Sequence, residues 1–436
     1  MRLKPYPSYK DSGIEWLGEV PEQWEVKRID SVTDYLRNQI NPDNIESDLV
    51  FHYSIPAVQE TGTGQYDLTE DVESSKQLIT KNAVLISKLN PRKATICIAE
   101  PQDEVTICSS EFIAMEATKC NLKYLYYLVN SEMNRQRLDA RVQSVTRSHQ
   151  RVYPYDIYRF WTALPSKTEQ LSIAAFLDHE TARIDALLQK KEQMIELLKE
   201  KRIALITQAV TKGLDTNVKM KDSGIEWLGG VPENWTVRTV KTATQIIRGR
   251  FNFRPRNDPR FYDGDHPFIQ TGDVSQSSKY IVAYEQTLNE LGLQISREFP
   301  KGTLVMTIAA NIADVALLTF KACAPDSIVG FIPFVGVDLD YLYFVFIAMR
   351  PELIKEAPIS TQGNLNIERV GSIYMPLPDT DAQLAIVSFL ERNTVAIESL
   401  LSTIRQSISL LQEYRSSLIH SAVTGKIDLR GYHEEL

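Results

Sequence analysis

One stretch occurs twice in this chain, and that duplication constrains the fold more than any other feature. Lys10–Val26 reads KDSGIEWLGEVPEQWEV, and Lys221–Val237 reads KDSGIEWLGGVPENWTV. At an offset of 211 the two differ only at Glu19/Gly230, Gln23/Asn234 and Glu25/Thr236. Downstream, Leu164–Pro165 and the segment EQLSIAAFLDHETARIDALL return as Leu377–Pro378 and AQLAIVSFLERNTVAIESLL, at an offset of 213. Two repeats in the same order at nearly one offset mean that a unit of roughly 210 residues has been duplicated. Solenoid repeats run to about 20–50 residues, so the pattern describes two domain-sized units, each long enough to bury its own core.

Each unit opens on the repeated stretch. Pro5, Pro7, Gly13, Gly18 and Pro21 make its first copy rich in turns, and Ile14, Trp16, Leu17 and Trp24 supply apolar anchors. It reads as a packing clasp whose tryptophans bury against a neighbour. A mixed globular region follows. Short apolar runs bounded by turn residues predict strands at Val50–Ile55, Ala83–Ser87, Thr95–Ala99 and Phe112–Met115 in the first unit. In the second they predict strands at His266–Gln270, Thr303–Thr307, Val315–Thr319 and Ile328–Pro333. Leu122–Asn134 and its counterpart Leu339–Met349 have helical apolar spacing.

Residues 166–212 differ in kind, because neither Pro nor Gly interrupts them. Ile184, Leu188, Lys191, Ile195, Leu198, Arg202, Leu205 and Ala209 step by four and three, the seam of a coiled coil. The second copy steps through Ile397, Leu401, Ile404, Ile408, Leu411, Arg415, Leu418 and Ala422 in the same register. A helix of about 40 residues is roughly 60 Å long and cannot bury such a stripe alone. The expected partner is the other copy. Arg202 and Arg415 are then expected to fix the register, or to pair with acidic residues such as Glu200 and Glu413.

Composition narrows the function classes. With 48 basic and 56 acidic residues the formal charge is −8, so any nucleic-acid contact must come from local charge. Cys97, Cys108, Cys120 and Cys323 have no metal-ligand spacing and read as thiols in a reducing cytosol. The first residues, MRLKPYPSYKDSG, carry no apolar run of the signal-peptide kind. The longest apolar stretch, Tyr341–Met349, is too short to span a bilayer. A cytoplasmic chain without membrane contact is expected.

The two clasps, with the long segments that open LPSKTEQLSIAAFLD and LPDTDAQLAIVSFLE, resemble the specificity subunit of type I restriction–modification systems, over nearly the whole chain. The resemblance implies an α+β chain with internal duplication and pseudo-twofold symmetry. In it, two target-recognition domains are joined by two long antiparallel coiled-coil helices. It places the first recognition domain and clasp at 1–160, the central helix at 161–215, the second recognition domain at 216–376 and the distal helix at 377–436. It also implies double-stranded DNA as ligand, with each domain reading one half of a bipartite, asymmetric site. The expected partners are two methyltransferase subunits using S-adenosylmethionine, and restriction/translocase subunits using ATP and Mg2+. The chain itself would bind no cofactor and catalyse nothing.

The residues support that division of labour. No Pro-Pro pair exists, so the Asn/Asp-Pro-Pro-aromatic signature of amino-directed methylation is missing; Asn90-Pro91-Arg92 comes nearest. There is no phosphate-cradling glycine loop before a helix. Asn41-Pro42-Asp43 with Glu46 and Asp48 reads as a capped turn rather than a nuclease cluster. Arg248–Arg260, RGRFNFRPRNDPR, sets five arginines against one aspartate, with Phe251 and Phe253 interleaved. Arg248, Arg250, Asn252, Arg254 and Arg256 are therefore candidate DNA contacts, since guanidinium meets phosphate or guanine edges. Arg135–Arg151 is equally basic. Its end, Arg147, Ser148, His149, Gln150 and Arg151, precedes Val152 much as Thr361, Gln362 and Asn364 precede Leu365. Both loops offer hydroxyl, amide and guanidinium groups suited to base edges. Ser87, Lys88, Asn90, Arg92 and Lys93 follow an expected strand, with Asn311 in the corresponding loop. Two other classes fit less of the pattern: a stand-alone sequence-specific DNA-binding protein, and a coiled-coil protein scaffold.

Overall fold

The structure is a computed structural model that describes residues 4–144, 150–253, 255, 257–309, 311–355 and 365–432. The chain divides into two compact units. The first joins Met1–Lys191 to Arg405–Leu436, and the second is the continuous segment Glu192–Ile404. Each therefore holds a stretch of both long helices, Lys167–Lys212 and Thr380–Val423.

The first unit is built on a four-stranded antiparallel sheet. Its order is Ile96–Ala99, Ala83–Ser87, Phe112–Glu116 and Asp34–Leu36. The Ala83–Ser87 strand is buried throughout, as a run of Ala, Val, Leu and Ile between covered faces must be. A five-stranded sheet lies alongside, centred on Thr106–Cys108 and Leu49–Tyr53, which run parallel. The second unit repeats the order of the main sheet and extends it. Thr244–Arg248, Ile328–Pro333, Leu304–Thr307 and Val315–Leu318 are antiparallel neighbours, and Tyr280–Ile281 closes the edge.

The spacing that predicts one helix over Leu122–Asn134 is interrupted. Leu122–Asn130 ends at Ser131, and Glu132–Asp139 begins after it. Ser131 is extended and buried; its hydroxyl donates to the Leu128 carbonyl at 2.7 Å and accepts from the Asn134 amide at 3.4 Å. A serine that satisfies the end of one helix and the start of the next outweighs apolar periodicity. The counterpart lacks that serine and runs unbroken from Leu339 to Lys355.

Each long helix starts after a proline and stops at a glycine. Ser166 caps the first by accepting from the Glu169 amide at 3.3 Å, and Asp379 caps the second by accepting from Ala382 at 2.8 Å. Gly213 and Gly425 end them at φ of +77° and +73°, the left-handed conformation that a Cβ disfavours. A side chain there would also strike the clasps: a Cβ on Gly425 would lie 2.4 Å from Pro21, and one on Gly213 would lie 3.2 Å from Trp235.

The clasps are packing devices, as their sequence predicts. In each, an Asp and a Ser fold the turn back: Gly13 donates to Asp11 at 2.9 Å and Gly224 to Asp222 at 3.0 Å. Trp24 and Trp235 are buried. Trp24 donates its indole N–H to Glu169 Oε1 at 3.0 Å, and Tyr6 donates its hydroxyl to the same oxygen at 2.5 Å. Tyr9 reaches the Gly425 carbonyl at 3.0 Å, and the Asp428 amide donates to the Lys4 carbonyl at 2.8 Å. The start of one long helix and the end of the other thus meet in the first unit, antiparallel, beneath its clasp.

Within the first unit Ile184 and Leu188 face Leu411 and Leu418 in one apolar core. Within the second, Leu205, Ile206 and Ala209 share a core with Ile386, Val387 and Leu390. Ile397, Leu401 and Ile404 are buried, while Ile195, Leu198 and Ile408 are half-buried. The two seam arginines pair across helices, not with Glu200 or Glu413. Arg415 holds Asp185 through two bonds of 2.9 and 3.1 Å, and Arg202 lies 3.3 Å from Glu398. Glu200 and Glu413 stand too close to the arginines on their own helices to face them, whereas Asp185 and Glu398 flank the seam of the opposite one. At the 213 offset Asp185 corresponds to Glu398 and Arg202 to Arg415, so one ion pair occurs twice.

Replacing Glu169 by Ala leaves the Trp24 N–H and Tyr6 hydroxyl buried without an acceptor. At about 1–3 kcal/mol for each stranded group, Glu169→Ala should lower stability by roughly 2–6 kcal/mol, read as a shift in the urea midpoint followed by tryptophan fluorescence.

Candidate nucleic-acid interface

In the first unit, Asp34–Leu36 and Ala83–Ser87 both run antiparallel to Phe112–Glu116. They therefore point the same way, and the residues after them leave one end of the sheet. Ser87 is buried and turns the chain: its hydroxyl accepts from Leu89 at 3.1 Å. Asn90 takes a left-handed conformation (φ +47°) and donates its amide to the Gln150 carbonyl at 2.8 Å. Val152 donates to Lys88 at 3.1 Å, and Leu89 bridges to Arg151. The sheet-end loop and the segment at 150–152 are thus brought together. Lys93 is exposed, Arg92 is held by Asp139 at 2.5 Å, and Arg151 reaches Glu111 at 3.0 Å.

The second unit repeats this arrangement. Thr244–Arg248 and Leu304–Thr307 both lie antiparallel to Ile328–Pro333, with Arg248 opposite Val329 and Met306 opposite the same residue. The arginine run and the loop holding Asn311 leave the same sheet end. Leu365 donates to Ile308 at 3.0 Å, the match of the Val152–Lys88 bond. Asn311 is exposed at φ +39°. Exposed Arg248 donates Nε to the Asp326 carbonyl at 3.0 Å, and Arg250 donates Nη2 to the Ser296 carbonyl at 3.1 Å. Asn252 is exposed, its amide bound to Ile295 at 3.1 Å.

Arg147, Ser148, His149, Arg254, Arg256, Thr361, Gln362 and Asn364 lie outside the described residues.

Other parts of the basic runs are structural. Phe251 is buried with Phe268 and Leu288, and half-buried Phe253 packs 4.7 Å from Phe261, so both rings take part in packing. Arg260 is tied to Asp258 at 2.7 Å. Arg137 is buried: Nε and Nη2 donate to Asn134 Oδ1 at 3.1 and 2.7 Å, Nη1 donates to the Asp156 carbonyl at 2.8 Å, and the guanidinium lies 4.4 Å from the Phe160 ring. Burial, with Arg141 alongside, pushes its pKa down to about 9. Arg135 closes the helix end at Asn130 through bonds of 3.1 Å to its carbonyl and side chain.

Arg37, which belongs to no basic run in the sequence, joins this end of the first sheet. It is exposed at the same sheet end as Lys88, and its guanidinium rests 4.7 Å from the Tyr35 ring. At the 211 offset it corresponds to Arg248, a signal available from the repeat.

A family model described as the type I restriction modification DNA specificity domain matches twice, at residues 21–197 and 232–409. A relative from Methanocaldococcus jannaschii, named as the MjaX specificity subunit of a type I restriction enzyme, is 21% identical over 95% of this chain and 96% of its own. The MjaVIII specificity subunit of the same organism is 20% identical over 94% of each chain. Among solved structures, a chain from a study of assembly and conformational transition in a type I R-M system superposes with a TM-score of 0.78. It shares 16% identity, over 94% of this chain and 99% of that one. The HsdS subunit from Thermoanaerobacter tengcongensis gives a TM-score of 0.54 at 16% identity, over 94% and 98%. These last two likenesses concern the fold.

Arg137→Ala should cost about 2–4 kcal/mol of stability through its stranded acceptors. It should leave the salt dependence of DNA binding unchanged, which thermal unfolding and binding titrations at several salt concentrations would read separately.

Proposed function

We propose that this chain, which belongs to the type I restriction modification DNA specificity family, reads the DNA target of a type I restriction–modification complex and performs no chemistry itself. The observation that carries the reading is the twofold occurrence of one design. In each unit, basic and amide side chains gather where two like-directed strands of the main sheet end. Such groups meet phosphates for affinity and base edges for specificity.

The contacts are Lys88, Asn90, Arg92, Lys93, Gln150 and Arg151 in the first reader, with Arg37 added; Ser87, an expected contact, is buried and spends its hydroxyl on Leu89, so it shapes the loop instead. In the second they are Arg248, Arg250, Asn252 and Asn311. The readers differ at equivalent positions, as in Tyr155 against Glu368, so the two half-sites differ in sequence, and the helical regions set the gap between them. The chain's net charge is −8, and its acidic excess is assigned to the helices and outer faces that meet protein partners.

Those partners are two methyltransferase subunits, joined by restriction/translocase subunits. S-adenosylmethionine, ATP and Mg2+ belong to them, and the assembly works in the cytoplasm. Three leucine pairs support two copies of one partner. Leu171/Leu384, Leu187/Leu400 and Leu197/Leu410 occupy equivalent positions and are 41–64% exposed. Leucines on the seam are buried or half-buried; these face outward, and in both copies alike. Among the described residues no helix is long and apolar enough to cross a membrane.

Mapping modified adenines in cells with and without this gene tests the function: a bipartite motif whose modification vanishes with the gene is expected, and an unaltered pattern would count against it. For the contacts, Arg248→Ala with Arg250→Ala should weaken binding across all sequences and reduce the slope of log affinity against log salt by about 2. An unchanged slope would remove that segment from the interface.

A further inference from the structure

The first reader carries an aromatic ridge that the second lacks. Tyr153 immediately precedes the short helix Pro154–Tyr158 and Tyr155 lies in its first turn. Their rings stack at 5.3 Å, 16° apart in plane, and are 45% and 51% exposed. The other face of the helix is fixed. Asp156 and Ile157 are buried, Arg141 lies 3.3 Å from the Asp156 carboxylate, and Arg137 holds the Asp156 carbonyl. The tyrosines are therefore displayed on an anchored element. Tyr158 continues the ridge by stacking on Tyr35 at 5.2 Å, with Arg37 over Tyr35 and Arg159 over Tyr158.

Position and charge place this ridge at the reading end. Arg151 precedes it by two residues and pairs with the sheet-end loop through Leu89. At the 213 offset the second unit has Asn366, Glu368 and Gly371 in place of Tyr153, Tyr155 and Tyr158. The duplicated scaffold thus folds without the ridge, and core packing does not account for rings left half in water.

We infer that Tyr153 and Tyr155 stack on a base step opened by binding at the first half-site. The inference rests on the DNA-reading function proposed above. A paired base in an intact duplex offers only its edge, whereas an unstacked one offers a π face that any aromatic ring can meet. Rings inserted beside a step stabilise a kinked duplex, and Arg37 and Arg151 supply cations for the flanking phosphates. Because the rings are uncharged, they add affinity without releasing counterions.

The test uses the full chain, a duplex that it selects from a random library, and 2-aminopurine placed in turn along each half-site. Enhanced fluorescence at one step of a single half-site is expected with the unaltered chain. Y153A/Y155A should abolish that signal and weaken binding about tenfold or more, with an unchanged salt slope, while Y153F/Y155F keeps both signal and affinity. A matching thermal midpoint identifies the alanine variant as folded. Unchanged affinity of that variant, or no enhanced step under saturating protein, overturns this inference alone. A chain that selects no duplex overturns the DNA-reading function and this inference with it.

Discussion

Neither long helix can bury its apolar stripe by itself, and the rest of the structure follows from the pairing that solves this. Burial of the stripe contributes most of the stability of the pair, because each buried leucine or isoleucine is worth on the order of 1.5–3 kcal/mol. The cross-helix pairs Asp185–Arg415 and Glu398–Arg202 are partly exposed, and pairs of that kind contribute only about 0.2–1 kcal/mol. Their value lies in position. An apolar seam tolerates sliding by a heptad, but a guanidinium that must meet a carboxylate on the facing helix selects one register.

The duplicated parts are not copied residue by residue, and the differences show how a body of variable sequence attaches to a repeated rod. In the first unit Lys123 pairs with Asp178 of the long helix at 2.5 Å, and Tyr127 donates to the same carboxylate at 2.8 Å. The second unit has Asp340 and Glu391 at these places, two acids facing each other. Lys279, from the reading domain, bridges them at 2.7 and 2.6 Å and lies near the rings of Tyr280, Tyr343 and Phe344. A repulsion left by divergence is thus neutralised by a lysine outside the repeat. The buried glutamines Gln170 and Gln383 are the invariant part of the joint. Each donates to the carbonyl of the proline before its helix and accepts a backbone amide from the segment leading into the neighbouring helix, at Asn121 or Asp338.

Legibility in the sequence followed how local each determinant is. Ala83–Ser87 and Ile328–Pro333 fall where apolar runs and turn residues place them, and the long helices begin and end at their proline and glycine punctuation. Ser131 defeated the periodicity because one buried hydroxyl outweighs an apolar pattern. The partners of Arg202 and Arg415 were out of reach, since they lie on the far copy of the repeat and depend on the facing helix. Charge alone also misled: Arg137 and Arg260 look like Arg248 in composition, yet one fills a buried hydrogen-bonded site and the other is tied to its neighbour. Arg37 was hidden because a lone arginine after a short strand carries no run. The 211 offset to Arg248 points to it, and the strand pairing puts it at the same sheet end as Lys88.

The first compact unit takes its last 32 residues from the far end of the chain, whereas the second is continuous. During synthesis domains generally form as units, N-terminal first. Here the order in which the units become complete in sequence is reversed. The second unit is complete in sequence once Ile404 has emerged, while the first must wait for Gly425 and Asp428 to meet Tyr9 and Lys4. Until that stretch emerges, the stripe around Ile184 lacks Leu411 and Leu418, the facing residues of its core. A premature stop near residue 405 would therefore leave the second unit complete in sequence and strip the first of the helix segment that closes its core.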